Sequence, residues 1–146
     1  MKSISLYQPW ATWIANPQKF IAIKVKPKRI ENRSRDFTYG YRGPILIHAS
    51  RTFDKDAIDY VFGRPPHPEA FFPTEKKDYP LGFIVGRAQL IKVVTENDPE
   101  ADDPWFKGPY GLVLGNARPI EPIAYPGSLG LFEVPDDFLA KHGLPR

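Results

Sequence analysis

Seventeen prolines and eleven glycines are scattered through the 146 residues, and they cut the chain into segments too short for long helices. Between these breaks the apolar residues fall into runs of strand length. Ser3-Ile4-Ser5-Leu6-Tyr7 alternates with period two, as does Arg29-Ile30-Glu31-Asn32-Arg33, while Ile45-Leu46-Ile47-His48-Ala49 is almost wholly apolar and reads as a strand buried on both faces. Gly82 to Val94 is long enough for a central strand bent at Gly86, which suits a curved sheet. Leu112 to Leu114 and Gly130 to Val134 are the next strands, with an extended stretch from Pro119 to Pro126. Phe20 to Lys26 also alternates and reads as a strand in a hairpin arm at 18–27. Helices are few. One opens at Pro9 with Ala11, Trp13 and Ile14 inward and ends before Pro17, one runs from Asp54 to Phe62, and a short one follows Asp136. Strands and helices do not alternate regularly, so the expected class is α+β, mainly β: a small β-barrel with peripheral short helices in one domain, 1–146.

No apolar run is long enough to span a bilayer and the N-terminus lacks the pattern of a signal peptide, so a soluble, cytoplasmic protein with no membrane partner is expected. The chain has no cysteine, which excludes disulfides, a thiolate nucleophile and cysteine zinc sites. His48, His67 and His142 are far apart, and the acidic run Glu96, Asp98, Glu100, Asp102, Asp103 is interrupted by Pro99 and reads as an irregular solvated loop. No metal site and no cofactor are expected.

Charge is distributed unevenly. From Lys19 to Arg51 there are nine Lys or Arg against two acids, Glu31 and Asp36, a field that favours phosphate-bearing ligands. Within it, alternation sets Arg29, Glu31 and Arg33 on one strand face, either as a solvated edge laced by salt bridges or as a ligand-reading face with acceptor and donors side by side. His48 is either a satisfied core imidazole or a pocket-lining donor. Trp105, Lys107 and Tyr110, on a Gly- and Pro-rich turn, read either as core or as a stacking platform for a base. The Pro-rich stretch 63–80 is either a lid or a surface insertion.

Four blocks in this order resemble the ASCH domain of the PUA-like superfamily. The family's GxKxxExR pattern aligns with Lys26-Pro27-Lys28-Arg29-Ile30-Glu31-Asn32-Arg33, with Lys26 in place of the glycine. Gln8-Pro9-Trp10-Ala11 precedes it, and Tyr41-Arg42-Gly43-Pro44-Ile45-Leu46-Ile47-His48-Ala49 and Gly127 to Phe132 follow, so the likeness spans essentially the whole chain. It implies a β-barrel with a cleft between barrel and helices, and a role in RNA or nucleotide recognition. Some small relatives in this broad family are amidohydrolases of acetylated cytidine that use a lysine at the Lys28 position with a threonine three residues later, where this chain has Glu31. Others are ribonucleases, for which a divalent metal would be the cofactor.

The leading expectation is a module for single-stranded RNA or a modified nucleotide: Lys28, Arg33 and Arg42 meet phosphate, Glu31 and Gln8 read a base edge, Trp10 or Trp105 stacks, and Tyr41, Lys107 and Tyr110 complete the cleft. The alternative is an amidohydrolase or nuclease with Lys28 as base or nucleophile and Glu31 or His48 handling protons. A third is a protein-interaction module built on the arm at 18–27.

Overall fold

The computed structural model describes residues 1–62 and 72–144, with the side chains of 61 and 62 left aside. Its frame is a six-stranded sheet in the order β2-β5-β4-β3-β1-β6. The strands are β1 (Lys2–Gln8), β2 (Ile30–Arg33), β3 (Gly43–Phe53), β4 (Phe83–Thr95), β5 (Tyr110–Ala124) and β6 (Leu131–Glu133). Four short helices accompany them: α1 (Trp10–Ala15), α2 (Pro17–Ala22), α3 (Lys55–Phe62) and α4 (Asp136–Lys141). β1 and β3 are parallel and every other pairing is antiparallel.

Period-two alternation explains the two layers. Ile4 and Leu6 of β1, with Ile45, Ile47 and Ala49 of β3, pack on Ala11, Ile14 and Ala15 of α1. Leu46 points the other way, into a second cluster with Met1, Ile84, Val134 and Leu139. β3 is thus buried on both sides, as its apolar run predicts. A third, aromatic cluster gathers Trp13, Phe20, Phe72, Tyr79 and Trp105. The Tyr79 hydroxyl accepts from Trp13 Nε1 and donates to the Pro73 carbonyl, and burial pushes its pKa up to about 12.

Two expectations need correction. The sheet does not close into a barrel: β2 pairs only with β5 and β6 only with β1, so the two edges never share a ladder. These edge strands have four and three residues, too few to zip a closure, although register shifts along β4 and β5, one of them at Gly86, bend the sheet sharply. Second, the supposed strand Phe20–Lys26 of the 18–27 arm does not form: its first three residues end α2, and 23–29 are turn and irregular backbone. Pro17 occupies the first turn of that helix, where a missing N–H costs nothing, and Phe20 is drawn into the aromatic cluster, so burial of one side chain overrides the alternation. The acidic run is a solvent-facing loop, as expected, with some local order. Pro99–Asp102 forms a 3-10 turn, Asp98 accepts from the Thr95 N–H, Glu100 pairs with Lys92, and Asp103 pairs with Lys26 at 3.0 Å. The extended segment after Pro119 belongs to β5 itself, which passes through a left-handed residue at Asn116. Residues 63–71 of the Pro-rich stretch, read as a lid or an insertion, lie outside the described residues, but Phe72 and Tyr79 at its end are core.

Gly86 fixes how closely α1 approaches the sheet. A β-carbon built there would lie 2.6 Å from the Ala15 β-carbon and 3.0 Å from the Arg118 carbonyl oxygen, which belongs to the backbone and cannot swing away. Gly86→Ala is therefore expected to cost about 1–3 kcal/mol through overpacking, read as a lower urea midpoint at unchanged slope. An unaltered midpoint would show that helix and sheet are not in close contact.

Candidate functional site

Because the sheet curls without closing, β2 swings round to face β1 across a gap. β6 pairs only with Lys2 to Ile4 of β1. One residue beyond that ladder, the Ser5 carbonyl accepts a 2.7 Å hydrogen bond from Arg33 Nη2. A guanidinium thus spans where a barrel would have strand pairing. The gap is a hollow of about 1040 Å³.

One wall is β2 and the turn after Lys26. Lys28 is 3% exposed, donates to the Ile30 carbonyl at 2.5 Å, and lies 4.8 Å from the centre of the Trp10 ring and 5.7 Å from that of Trp105. Burial holds its ammonium below the ordinary lysine range; Glu31 and Asp103 pull it back up, and Lys107 lowers it. Lys26 does not act on it as a free cation, being paired with Asp103. Glu31 Oε2 sits 3.0 Å from Arg33 Nε, an ion pair off the line of a hydrogen bond. Both tryptophans are fixed through their indole N–H groups, Trp10 to Asp54 at 2.9 Å and Trp105 to the Lys26 carbonyl at 2.8 Å. They meet edge to face, 6.3 Å between ring centres.

Asn32, which sequence reasoning passed over, ties the 105–108 turn to β2. Its side chain accepts from the Lys107 and Gly108 N–H groups and donates to the Trp105 carbonyl. Trp105 and Lys107 are thereby held on the same hollow as Lys28.

The opposite wall is the polar face of β1 and β3. Ser5 and Tyr7 alternate with the buried Ile4 and Leu6, and His48, Ser50 and Thr52 line the hollow beside them. The alternation at 3–7 already separates these polar residues from the core ones; the parallel pairing with β3, unforeseen, is what sets Ser5 beside His48. His48 is 1% exposed yet forms part of the wall, and desolvation lowers its pKa while the Tyr125 carbonyl opposes the shift. Its Nε2 donates to that carbonyl at 2.6 Å, leaving Nδ1 to accept from the Ser5 hydroxyl at 2.7 Å. The rim is formed by Arg51, Tyr60 and the loop 125–130.

Of the expected site residues, Trp10, Lys28, Glu31, Arg33, His48, Trp105 and Lys107 share this one hollow. Gln8, Tyr41, Arg42 and Tyr110 do not line it. Gln8 is fully buried and braces α1 through Thr12 and the Pro80 carbonyl. Tyr41 borders a small depression with Met1 and Arg87, and its hydroxyl donates to the Pro44 carbonyl. Arg42 donates to Thr38 and to the Tyr41 carbonyl, and Tyr110 stands opposite Arg33 in the β2–β5 ladder. Trp105, at 8% exposure, is mostly core and offers a base little ring face; Tyr7, at 56%, offers more. Among the described residues no group of three or more His, Asp or Glu is placed to hold a metal ion, and no helix is long and apolar enough to cross a membrane.

Lys28 makes stability depend on pH in a calculable direction. Its folded pKa lies below its unfolded one, so between the two the unfolded chain holds a proton that the folded chain has shed. Stability rises with pH across that window, and the cost of the buried charge is felt in full below it. Urea midpoints should show the native protein gaining on Lys28→Met between neutral pH and the ordinary lysine range. Parallel curves would contradict the burial of the ammonium.

No family model matches the chain, and no curated protein matches it in sequence. Among solved structures it is similar to ZmASCH from Zymomonas mobilis. One single-residue variant of that protein superposes with a TM-score of 0.55 at 15% identity, covering 97% of this chain and 95% of the other. A second variant gives 0.51 at 16% identity, covering 97% and 93%, and the unsubstituted protein gives 0.50 at 16%, covering 97% and 92%. The likeness extends over nearly the full length of both chains and agrees with the four sequence blocks: this chain has the fold of the ASCH-domain proteins.

Proposed function

We propose that the protein is an ASCH-domain module that binds a nucleotide or a short single-stranded RNA in the hollow between β2 and β1. The observation that carries this reading is the gathering, in one concavity of about 1040 Å³, of cations at two depths with accessible aromatic rings. That volume is near the upper end for small-ligand sites and accommodates more than one ring system. Lys28 and Arg33 lie inside, Lys107 and Arg51 are exposed at the rim, and Tyr7 and Trp10 present ring surface between them. The rim cations meet phosphate, and Tyr7 and Trp10 stack on a base. Arg51 and Tyr7 thus take the parts expected of Arg42 and Tyr110. Glu31, held by Arg33, accepts from a base's amino edge.

Hydrolysis with Lys28 as base or nucleophile is the second reading, and the depressed pKa of a buried lysine speaks for it. Its ammonium, however, is engaged with a backbone carbonyl and flanked by two carboxylates that favour the charged form. Those features suit a fixed cation better than a base. Incubation with acetylated nucleosides and with labelled RNA, with and without divalent metal, separates the readings: turnover lost in Lys28→Ala would favour catalysis.

Affinity for a short single-stranded ribo-oligonucleotide should fall steeply with salt. The double variant Arg51→Ala/Lys107→Ala should lower the log–log slope by about 1.4, two phosphate contacts at about 0.7 each. Titration of fluorescence anisotropy at several salt concentrations measures this. A salt-independent affinity, or an unchanged slope, would contradict phosphate recognition at this rim.

A further inference from the structure

Across the hollow from Lys28 lies a pair of groups that nucleotide binding does not use. Ser5 and His48 are register partners on the parallel strands β1 and β3, so their side chains stand side by side on one sheet face. The Ser5 hydroxyl is 2.7 Å from His48 Nδ1, and His48 Nε2 donates to the Tyr125 carbonyl at 2.6 Å. That second bond fixes the tautomer: the proton is on Nε2, and Nδ1 is the acceptor facing the hydroxyl. The ring is held further by Phe132, edge to face at 5.9 Å between centres. Nucleophile, base and orienting group are therefore all present, a main-chain carbonyl doing what a carboxylate does in other sites.

Two neighbours complete the arrangement. Arg33 bonds the main-chain oxygen of Ser5, which places a guanidinium in the neighbourhood of the serine, a cation that favours negative charge developing nearby. Gly127 packs closely against the pair. A β-carbon at that position would lie 2.7 Å from both Ser5 Oγ and His48 Cε1, so only glycine lets the 125–130 loop pass there. Ser5 and Gly127 both line the hollow, so the serine is open to a ligand within it.

We infer that Ser5 and His48 form a hydrolytic dyad acting on small carboxylic esters admitted to this hollow. Ser5 Oγ bonds to the ester carbonyl carbon as its proton passes to His48 Nδ1. Collapse of the tetrahedral species breaks the bond to the leaving alkoxide, which takes that proton and departs as the alcohol. Water then adds to the acyl carbon, giving a proton to Nδ1, and the acid leaves as Ser5 recovers its proton. No redox partner or further co-reactant is needed. A neutral carbonyl electrophile suits one neutral imidazole and one nearby cation, since a single negative charge develops.

The test is chemical labelling of the intact chain with a fluorophosphonate, followed by peptide mapping, alongside p-nitrophenyl acetate hydrolysis. The expected result is one adduct per chain on Ser5, a stoichiometric burst of nitrophenol, and turnover reduced about 100-fold or more in Ser5→Ala. Gly127→Ala, which crowds the pair, should slow labelling while Ser5 is still present. The mapping is done on the unaltered protein, so it does not depend on any variant folding. Absence of an adduct, or an adduct on Ser50 or Ser128 of the same hollow instead, would overturn the dyad. Oligonucleotide affinity is measured separately, so failure here leaves the binding reading untouched, and failure of binding leaves the dyad untouched.

Discussion

Arg33 joins two sides of a curled sheet across a space that no strand fills. Had β2 and β6 been long enough to pair, the ladder would have sealed the gap and the side chains now facing it would form a packed interior. Their shortness leaves the Ser5 carbonyl, one residue past the β1–β6 ladder, without a strand partner, and an acceptor shielded from water is costly to leave unmet. A long cation from β2 meets that need while keeping the space open. The same residue pairs with Glu31, so one guanidinium both fastens the frame and balances the acid in the wall.

On the other side of that gap the Lys28 ammonium is the expensive feature. A buried charge must be compensated by hydrogen bonds, opposite charges or aromatic faces. Here all three contribute: the Ile30 carbonyl, the Glu31 and Asp103 carboxylates at longer range, and the two indole rings. Burial still wins, since the net shift is downward. An apolar residue would avoid that cost, so the cation is a feature that folding alone does not require.

Much of this could be read from the chain before any coordinates. The apolar run 45–49 marks a strand buried on both faces and Gly86 marks the bend, because each depends on local period or on a residue with a single physical use. Alternation does less well on the charged strand: it groups Arg29 with Glu31 and Arg33, but Arg29 is exposed and off the hollow, while Lys28 and Asn32, out of phase with them, line it. What was misread depends on distant partners. Phe20 alternates like a strand residue but is captured by Phe72 and Trp105, 5.1 and 5.9 Å away between ring centres, and the segment winds into a helix to reach them. Gln8 has the polarity of a ligand contact yet is consumed by Thr12 and Pro80. Ser5 and His48 are 43 positions apart, and only the parallel register of β1 on β3 makes them neighbours. Closure of the sheet, likewise, hinges on the lengths of two edge strands, which alternation does not determine.

The three tryptophans offer the most direct look at whether the hollow receives a nucleotide, because each indole N–H has a different fixed partner: Asp54 for Trp10, Tyr79 for Trp13 and the Lys26 carbonyl for Trp105. In a two-dimensional proton–nitrogen spectrum they give separate signals. Titration with a short single-stranded ribo-oligonucleotide should move the Trp10 signal, in the wall of the hollow, and the Trp105 signal beside it, while Trp13, sealed in the core, stays in place. Binding that leaves Trp10 and Trp105 unmoved would contradict a nucleotide site in this hollow.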